Sequence, residues 1–224
     1  MLIYAVADIH GKDEKIDSIQ ACIQHYKPDV LVIAGDITSF CRADPILDRL
    51  STTGLPILYI RGNTDLKKLD RAADKHANIQ NLDRKQICFQ KICFTGISGT
   101  IPLPFYSIIC LNEKRELEKL KKLVTKDTIV VAHPPCRGVL DKVGKKCHAG
   151  SLNLKHFITQ NCPALLLCGH IHEHSGIERI HQTLVVNCAM TKKHSGALVR
   201  YEKDKTPRAE IIASQPDYSS SHMA

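Results

Sequence analysis

A chain of 224 residues with 43% hydrophobic and 24% charged residues can bury a full core, which excludes disorder as its overall state. Trp is absent and aromatic residues make up 5%, too few for a protein that holds nucleic acid by stacking bases. The formal net charge of +8 points to anionic partners, a class that includes phosphate esters, RNA and acidic membranes.

The chain opens on an apolar run, residues 2–7, too short for a buried helix and read as a buried strand. Asp13 is placed to cap a helix in which Ile16, Ile19 and Ile23 share one face, and Lys27 and Pro28 end it. A second strand, Val30–Ala34, leads into a loop over residues 36–42. A helix carrying Ile46, Leu47 and Leu50 follows and stops at Gly54 and Pro56. The strand Ile57–Ile60 runs into the turn Arg61-Gly62-Asn63, and Leu66 and Leu69 mark a short helix. Residues 79–96 then alternate in the manner of two or three antiparallel strands.

Pro102 and Pro104 make a loop, after which Asn112 opens a polar helix with Leu117, Leu120 and Val124 inward and Glu118 paired to Lys122. The strand Ile129–Ala132 reaches His133-Pro134-Pro135 and a long basic loop through Lys146. Ser151 caps a helix containing Leu154, Phe157 and Ile158. After the strand Leu165–Cys168, short strands at hairpin spacing occupy residues 177–180, 183–187, 196–201 and 208–212. Residues 215–224 are a polar tail, and nothing divides residues 1–214 into more than a single domain. Of ten cysteines, Cys22, Cys88, Cys93, Cys168 and Cys188 sit in apolar patterns, where reduced thiols act as small hydrophobes. With no leader ahead of Leu2 and no apolar run of ~20 residues, the expectation is a soluble, cytoplasmic protein without membrane contact.

Strands separated by helices pair in parallel, so their C-terminal ends share one edge, where ligands of such sheets bind. Five of the apolar runs stop at residues able to hold a metal: Asp8 and His10, Asp36, Asn63, His133, and His170 with His172. Asp8 and His10, one residue apart, can address one ion. Carboxylate plus imidazole suits Mn²⁺, Fe or Zn²⁺ better than Mg²⁺ or Ca²⁺. Two metals ~3.5–4 Å apart need a shared anionic ligand, and Asp36, after Gly35, is the natural bridge. His170 and His172 can divide their imidazoles between the ions, and Asn63 offers a neutral oxygen at a position that must also accept substrate. Singly, each of these matches is weak; in this order they point to a two-metal hydrolytic site.

These residues resemble the calcineurin-like metallophosphoesterases, through Asp8-Ile9-His10, Gly35-Asp36, Gly62-Asn63-Thr64-Asp65, His133 and Gly169-His170-Ile171-His172. The resemblance covers residues 1 to about 190, and the stretch from His133 to Ser151 looks most like the small metallophosphoesterase-domain branch. It implies an α/β fold of two facing mixed sheets flanked by helices, a four-layer αββα sandwich. It also implies two divalent ions, Mn first with Fe, Zn, Co or Ni as alternatives. Asp8, His10, Asp36 and His172 would hold one, and Asp36, Asn63, His133 and His170 the other. Water between two dications yields a bridging hydroxide near neutral pH for in-line attack on phosphorus, with Asn63 helping to hold the phosphate.

One position departs from the pattern. The family's usual His after Gly-Asn is Thr64 here, a poor acid, so the expectation is a phosphodiesterase acting on nucleotide-like or aryl diesters and slow on alkyl monoesters. His148 is the alternative acid. Arg42, Arg61, Arg137, Lys145 and Lys146 could grip a second phosphate, while Cys136 and Cys147 are not needed as ligands. His25, His76, His156, His174, His181 and His194 read as surface or turn residues. The rival readings are a phosphomonoesterase or protein phosphatase, a non-catalytic scaffold of the same fold, and a nuclease, for which no nucleic-acid module is present. The oligomeric state is not encoded in any motif.

Overall fold

A computed structural model describes residues 1–40, 43–99, 113–144 and 147–214. Along the chain lie β1 (Leu2–Val6), α1 (Asp13–Tyr26), β2 (Val30–Ala34), α2 (Asp44–Ser51), β3 (Ile57–Ile60), α3 (Lys68–Ala73) and β4 (Ile79–Asn81). Then come β5 (Gln86–Phe89), β6 (Ile92–Ile97), α4 (Glu113–Leu120), β7 (Ile129–Ala132), β8 (Lys142–Val143), β9 (Cys147–His148) and α5 (Leu152–Asn161). The chain continues through β10 (Leu165–Cys168), β11 (Gly176–Ile180), β12 (Thr183–Asn187), β13 (His194–Arg200) and β14 (Arg208–Ala213).

Two six-stranded mixed sheets result, in the orders β14-β13-β1-β2-β3-β4 and β11-β12-β10-β7-β6-β5. In the first, β1 to β4 are parallel and β13 and β14 close one edge antiparallel. In the second, β12, β10, β7 and β6 are parallel and the outer strands are antiparallel.

Side-chain alternation explains why the runs are continuously apolar. Ile3, Ala5, Val32, Leu58 and Ile60 face Phe94, Ile129, Val131, Leu165 and Leu167 across the interface between the sheets. Their neighbours Tyr4, Val6, Leu31, Ile33 and Tyr59 point outward and are covered by Ile16, Ile19, Leu47, Leu50 and Leu69 of α1, α2 and α3. On the far side Val130, Ala132 and Leu166 lie under Leu117, Leu120, Leu154, Phe157 and Ile158 of α4 and α5. A strand buried on both faces has no polar face to show, and each fully buried Leu or Ile contributes roughly 1.5–3 kcal/mol. These are the four layers expected.

The sheets are stitched where the site forms. Ala7 pairs with Ala189 beyond the ends of β1 and β12, with Ala7 N–H donating to Cys188 O at 3.1 Å and Met190 N–H to Ala7 O at 3.0 Å.

Several local expectations are corrected. Asp13 is the first helical residue and not the cap of α1; Lys12 takes that place without a side-chain hydrogen bond. Lys27 ends α1 as expected, in the left-handed region at φ 49°. Residues 79–96 split between the sheets, β4 pairing parallel to β3, so only β5 and β6 form an antiparallel pair. Cys88 and Cys93 are not thiols but a disulfide across that hairpin, since the register sets them opposite each other. The basic loop after His133 contains the small β8–β9 ribbon. On α4 the ion pairs run through Glu116, to Lys119 and Arg84, and not through Glu118 and Lys122. Ser151 does cap α5, its Oγ accepting from Leu154 N–H at 2.9 Å. β12 and β13 belong to different sheets and do not form a hairpin. Pro102, Pro104, Asn112 and residues 215–224 lie outside the described residues. No described helix is long and apolar enough to cross a membrane.

Candidate metal centre

All seven candidate ligands stand just beyond the C-terminal ends of parallel strands. Asp8 and His10 follow β1, Asp36 follows β2 and Asn63 follows β3, in the first sheet; His133 follows β7, and His170 and His172 follow β10, in the second. Backbone bonds lace these loops together: Asp8 N–H to Gly35 O at 3.0 Å, His10 N–H to Asp36 O at 2.9 Å and Gly169 N–H to His133 O at 2.9 Å. Asp8, His10, Asp36 and His170 have φ of 62°, 55°, 53° and 69°, a costly region for residues with a Cβ that surrounding structure must enforce. The loops are also close-packed. A Cβ on Gly62 would stand 2.1 Å from Asp36 Oδ1, and one on Gly35 would stand 2.6 Å from His133 Nδ1.

Asp8 and Asp36 are buried at the middle of the cluster. His172 Nε2 is 3.0 Å from Asp8 Oδ1. His10 Nε2 lies 3.9 Å from Asp8 Oδ1 and 3.8 Å from Asp36 Oδ2. His133 Nε2 lies 3.3 Å from Asp36 Oδ2 and 3.9 Å from Asp8 Oδ1. Asn63 Oδ1 is 3.0 Å from His133 Nε2. The His170 ring packs edge-on to His133 with centroids 5.1 Å apart, while His170 N–H donates to Asp8 Oδ2 at 2.9 Å. Ligand atoms of Asp8, His10 and His172 fall within 4.8 Å of one another, and so do those of Asp8, Asp36 and His133. Asp8 is thus common to both compact groups, whereas the resemblance gave the shared place to Asp36, whose Oδ2 reaches toward His10 and His133 alike.

This donor set fits a pair of divalent cations. Asp8 Oδ1 is buried and accepts no hydrogen bond; His172 Nε2 is near but off hydrogen-bond geometry. A buried carboxylate oxygen left in this state is costly unless a cation faces it. Charge at the site agrees. Burial acts to lower His133, but the Asp36 and Asp8 carboxylates outweigh it and push the imidazole up to about 9. Burial also works to raise Asp36, and the charge of His133 with the Thr64 N–H holds it below the ordinary carboxylate range. Burial, aided by the charge of His133, drops His170 to about 4, leaving a neutral imidazole with a free lone pair at neutral pH. The two carboxylates favour positive charge in their midst, and imidazole plus carboxylate donors suit Mn, Fe or Zn.

A family model for calcineurin-like phosphoesterases matches residues 1–174. The chain belongs to this family. It is 32% identical over 202 residues to an uncharacterized protein of Methanocaldococcus jannaschii, covering 84% of this chain and 87% of that one. In fold it is similar to a dimetal phosphatase from Danio rerio, with a TM-score of 0.68, 10% identity, and coverage of 95% of this chain and 96% of the other. It is also similar to an archaeal phosphodiesterase, with a TM-score of 0.53, 13% identity, and coverage of 95% and 100%.

In this calcineurin-like phosphoesterase the other sequence candidates among the described residues make their side-chain bonds outside the seven. His148 Nδ1 bonds Asp141 Oδ1 at 2.7 Å, on a ribbon tied to the His172 turn by Lys142 N–H to His174 Nδ1 and Gly144 N–H to Glu173 Oε2. No hydrogen bond or ion pair joins it to the seven. Arg61 does not reach for phosphate: its guanidinium sits 3.2 Å from Asp70 and 3.8 Å from Asp83 and is mostly buried. Arg137 is exposed and donates to His148 O at 3.1 Å. Arg42, Lys145 and Lys146 lie outside the described residues. Cys136 is buried, which pushes its thiol up, and Cys147 is exposed. His76 is half-buried against Asp48, not a free surface residue, and His194 Nδ1 pairs with Ser175 Oγ.

Two positioning roles were not read from the sequence, that of Asp65, named there only as part of a motif, and that of Lys15. Asp65 is buried and accepts from Ile37, Thr38 and Gly62 N–H and from Thr38 Oγ1, binding the Asp36 loop to the Asn63 turn. An acid two residues after Asn63 in a tight Gly-Asn turn was the available signal. Lys15 Nζ donates to Asp8 O and Met190 O, fixing the left-handed Asp8 from behind. A lone Lys in the first turn of α1 gave no comparable signal.

Proposed function

We propose that this chain is a two-metal phosphoesterase that hydrolyses phosphodiesters with good or cyclic leaving groups faster than alkyl phosphomonoesters. The observation that carries the metal dependence is the buried Oδ1 of Asp8, which accepts no hydrogen bond of good geometry though ringed by the Nε2 atoms of His10, His133 and His172. Following the resemblance, Asp8, His10, Asp36 and His172 would hold one ion and Asp36, Asn63, His133 and His170 the other. Two divalent ions, manganese first, would polarise the phosphoryl oxygens and lower the pKa of an attacking water. The protein's own part is to hold two carboxylates and four imidazoles where the C-terminal edges of the two sheets meet, to orient the phosphoryl group through Asn63, and to draw anions by its charge of +8.

The preference for diesters rests on Thr64. Its N–H donates to Asp36 Oδ1 at 2.9 Å and its hydroxyl to Thr38 O, so no acidic proton at this position faces a leaving oxygen. Protonation of the leaving group contributes 10²- to 10⁴-fold, and esters with poor leaving groups lose most without it. His148, its Nδ1 held by Asp141, is the candidate for a remaining proton donor. Among proteins of the same fold, the archaeal phosphodiesterase represents the diester reading and the Danio rerio dimetal phosphatase the monoester alternative. A complete set of seven donors argues against a scaffold.

Manganese-loaded protein is to be assayed on a bis-aryl phosphodiester and an alkyl phosphomonoester beside Asp36→Asn. Faster diester turnover that vanishes in the variant supports the proposal. Equal rates on both esters overturn the diester preference, and activity surviving Asp36→Asn overturns the two-metal site.

A further inference from the structure

Among the described residues three large hydrophobic side chains are exposed: Phe40, Leu152 and Val143, at 55%, 52% and 39%. Two of these sit on loops tied to ligand loops. Phe40 ends the stretch that begins at Asp36, and its N–H donates to Thr64 O at 3.1 Å. Thr64 returns a bond through its hydroxyl to Thr38 O, and the Asp65 carboxylate takes the N–H groups of Ile37 and Thr38. Residues 36–40 and 62–65 are therefore one bonded unit, with the backbone of Phe40 held against Thr64 in the turn that carries Asn63. On the opposite flank Val143 precedes Gly144, whose N–H is held by Glu173 next to His172.

Phe40 is an unfavourable choice for its place by two measures. Its φ of 57° lies where bulky side chains are outliers and Gly or Asn is preferred. Its side chain, more than half exposed, forgoes much of the burial that stabilises other large apolar residues. Among the described residues no aromatic ring packs on Phe40, while its backbone is fixed by the bond to Thr64. In a chain with 5% aromatic residues and no Trp, an exposed ring whose backbone is bonded to the Asn63 turn is a specific feature. A phosphoester has an anionic centre and an organic group; the seven donors address the first, and Phe40 is where the second would lie.

We propose that Phe40 is a specificity-determining residue, a platform on which a planar aromatic group of the phosphoester, nucleobase or aryl, stacks. This rests on the phosphoester reading above. Stacking tolerates any ring with a π-face, so the contact selects aromatic over aliphatic esters without selecting one base.

Calorimetric titration of manganese-loaded wild type, Phe40→Ala and Phe40→Tyr with methylphosphonate, hexylphosphonate, phenylphosphonate and AMP tests this, after Mn²⁺ binding has been measured for each. Wild type is expected to bind phenylphosphonate or AMP about tenfold tighter than methylphosphonate, a gain within the range of base–aromatic stacking. Phe40→Ala loses that gain while keeping its Mn²⁺ and methylphosphonate affinities, and Phe40→Tyr restores it. The ligand that gains more separates an aryl from a nucleobase substrate. Equal weakening of all ligands in Phe40→Ala, or none, overturns the proposal, as does a hexyl gain equal to the phenyl gain. If methylphosphonate does not bind the wild type, the phosphoester reading fails and this one with it; if it binds and the ring adds nothing, Phe40 alone is refuted.

Discussion

His148 Nδ1 stands 2.7 Å from Asp141 Oδ1, and the other oxygen of that carboxylate receives the N–H groups of Gly138 and Gly150 at 2.9 and 3.0 Å. Burial acts to raise Asp141, but His148 and the two amides outweigh it, so its carboxyl titrates below the ordinary value. A lowered folded-state pKa contributes stability that is complete above the unfolded value, near 3.9, and fades as pH falls through the folded one. Asp141→Asn is expected to be less stable than wild type by about 1.5–3 kcal/mol at pH 7, with the gap closing as pH falls through the lowered folded-state pKa, read from urea unfolding across that fall.

With Asp141 accepting from Nδ1, Nε2 is the nitrogen free to exchange a proton with a substrate. His148→Ala should lower kcat by about 10²-fold or more on an alkyl phosphoester and change kcat on a bis(nitrophenyl) diester by less than about threefold. The contrast between leaving groups distinguishes an acid from a residue that only holds the ribbon; equal loss on both esters would remove His148 from the chemistry.

Metal uptake should release a proton. His133, raised to about 9 by Asp36 and Asp8, carries a proton at pH 7, and a divalent ion must displace it to use the same nitrogen. Affinity should therefore rise as pH climbs from 6 toward 9. Calorimetry of Mn²⁺ binding at pH 7 in buffers of different ionisation enthalpy should return about one proton released per protein, and a His133→Ala variant should release none.

Chelation should soften the fold. A ligand present at 100 times its Kd stabilises by about 2.7 kcal/mol if it binds only the folded state, so EDTA should lower Tm by several degrees, and Mn²⁺ should restore it. Asp36→Asn is expected to show a Tm indifferent to both.

Gly62→Ala places a methyl group where Asp36 Oδ1 now stands, 2.1 Å from the ideal Cβ position. Since the obstacle is a carboxylate that is itself hydrogen-bonded to Thr64 N–H, it has no cheap retreat. The variant should lose about 1–3 kcal/mol of stability and bind Mn²⁺ at least tenfold more weakly, by urea unfolding and calorimetry.

The layers were legible because residues such as Tyr4 and Ala5, adjacent in sequence and both apolar, can only belong to a strand covered on two sides. The convergence of the seven polar residues followed from parallel pairing, which a run of strands and helices implies. Pairing between particular strands was not legible: β4 and β5 look alike as short alternating segments, and which sheet each joins is decided by long-range contacts. The Cys88–Cys93 bond was hidden for a related reason, since it depends on the register of one hairpin. The β8–β9 ribbon escaped because two-residue strands of Lys, Val, Cys and His carry no period. Arg61 was misjudged because sequence places it beside Asn63, while its partners Asp70 and Asp83 arrive from α3 and the segment after β4. Phe40 gave no warning, as its exposure is a property of the loop's conformation.

Asp8, His10, Asp36 and Asn63 hang from one sheet, and His133, His170 and His172 from the other, so neither half alone carries a full coordination sphere. An ion seated there acts as a clasp across the sandwich seam, and loading becomes a readout of docking. A chain with well-formed sheets that have slid by a single residue relative to each other would keep its secondary structure and forfeit the candidate metal site.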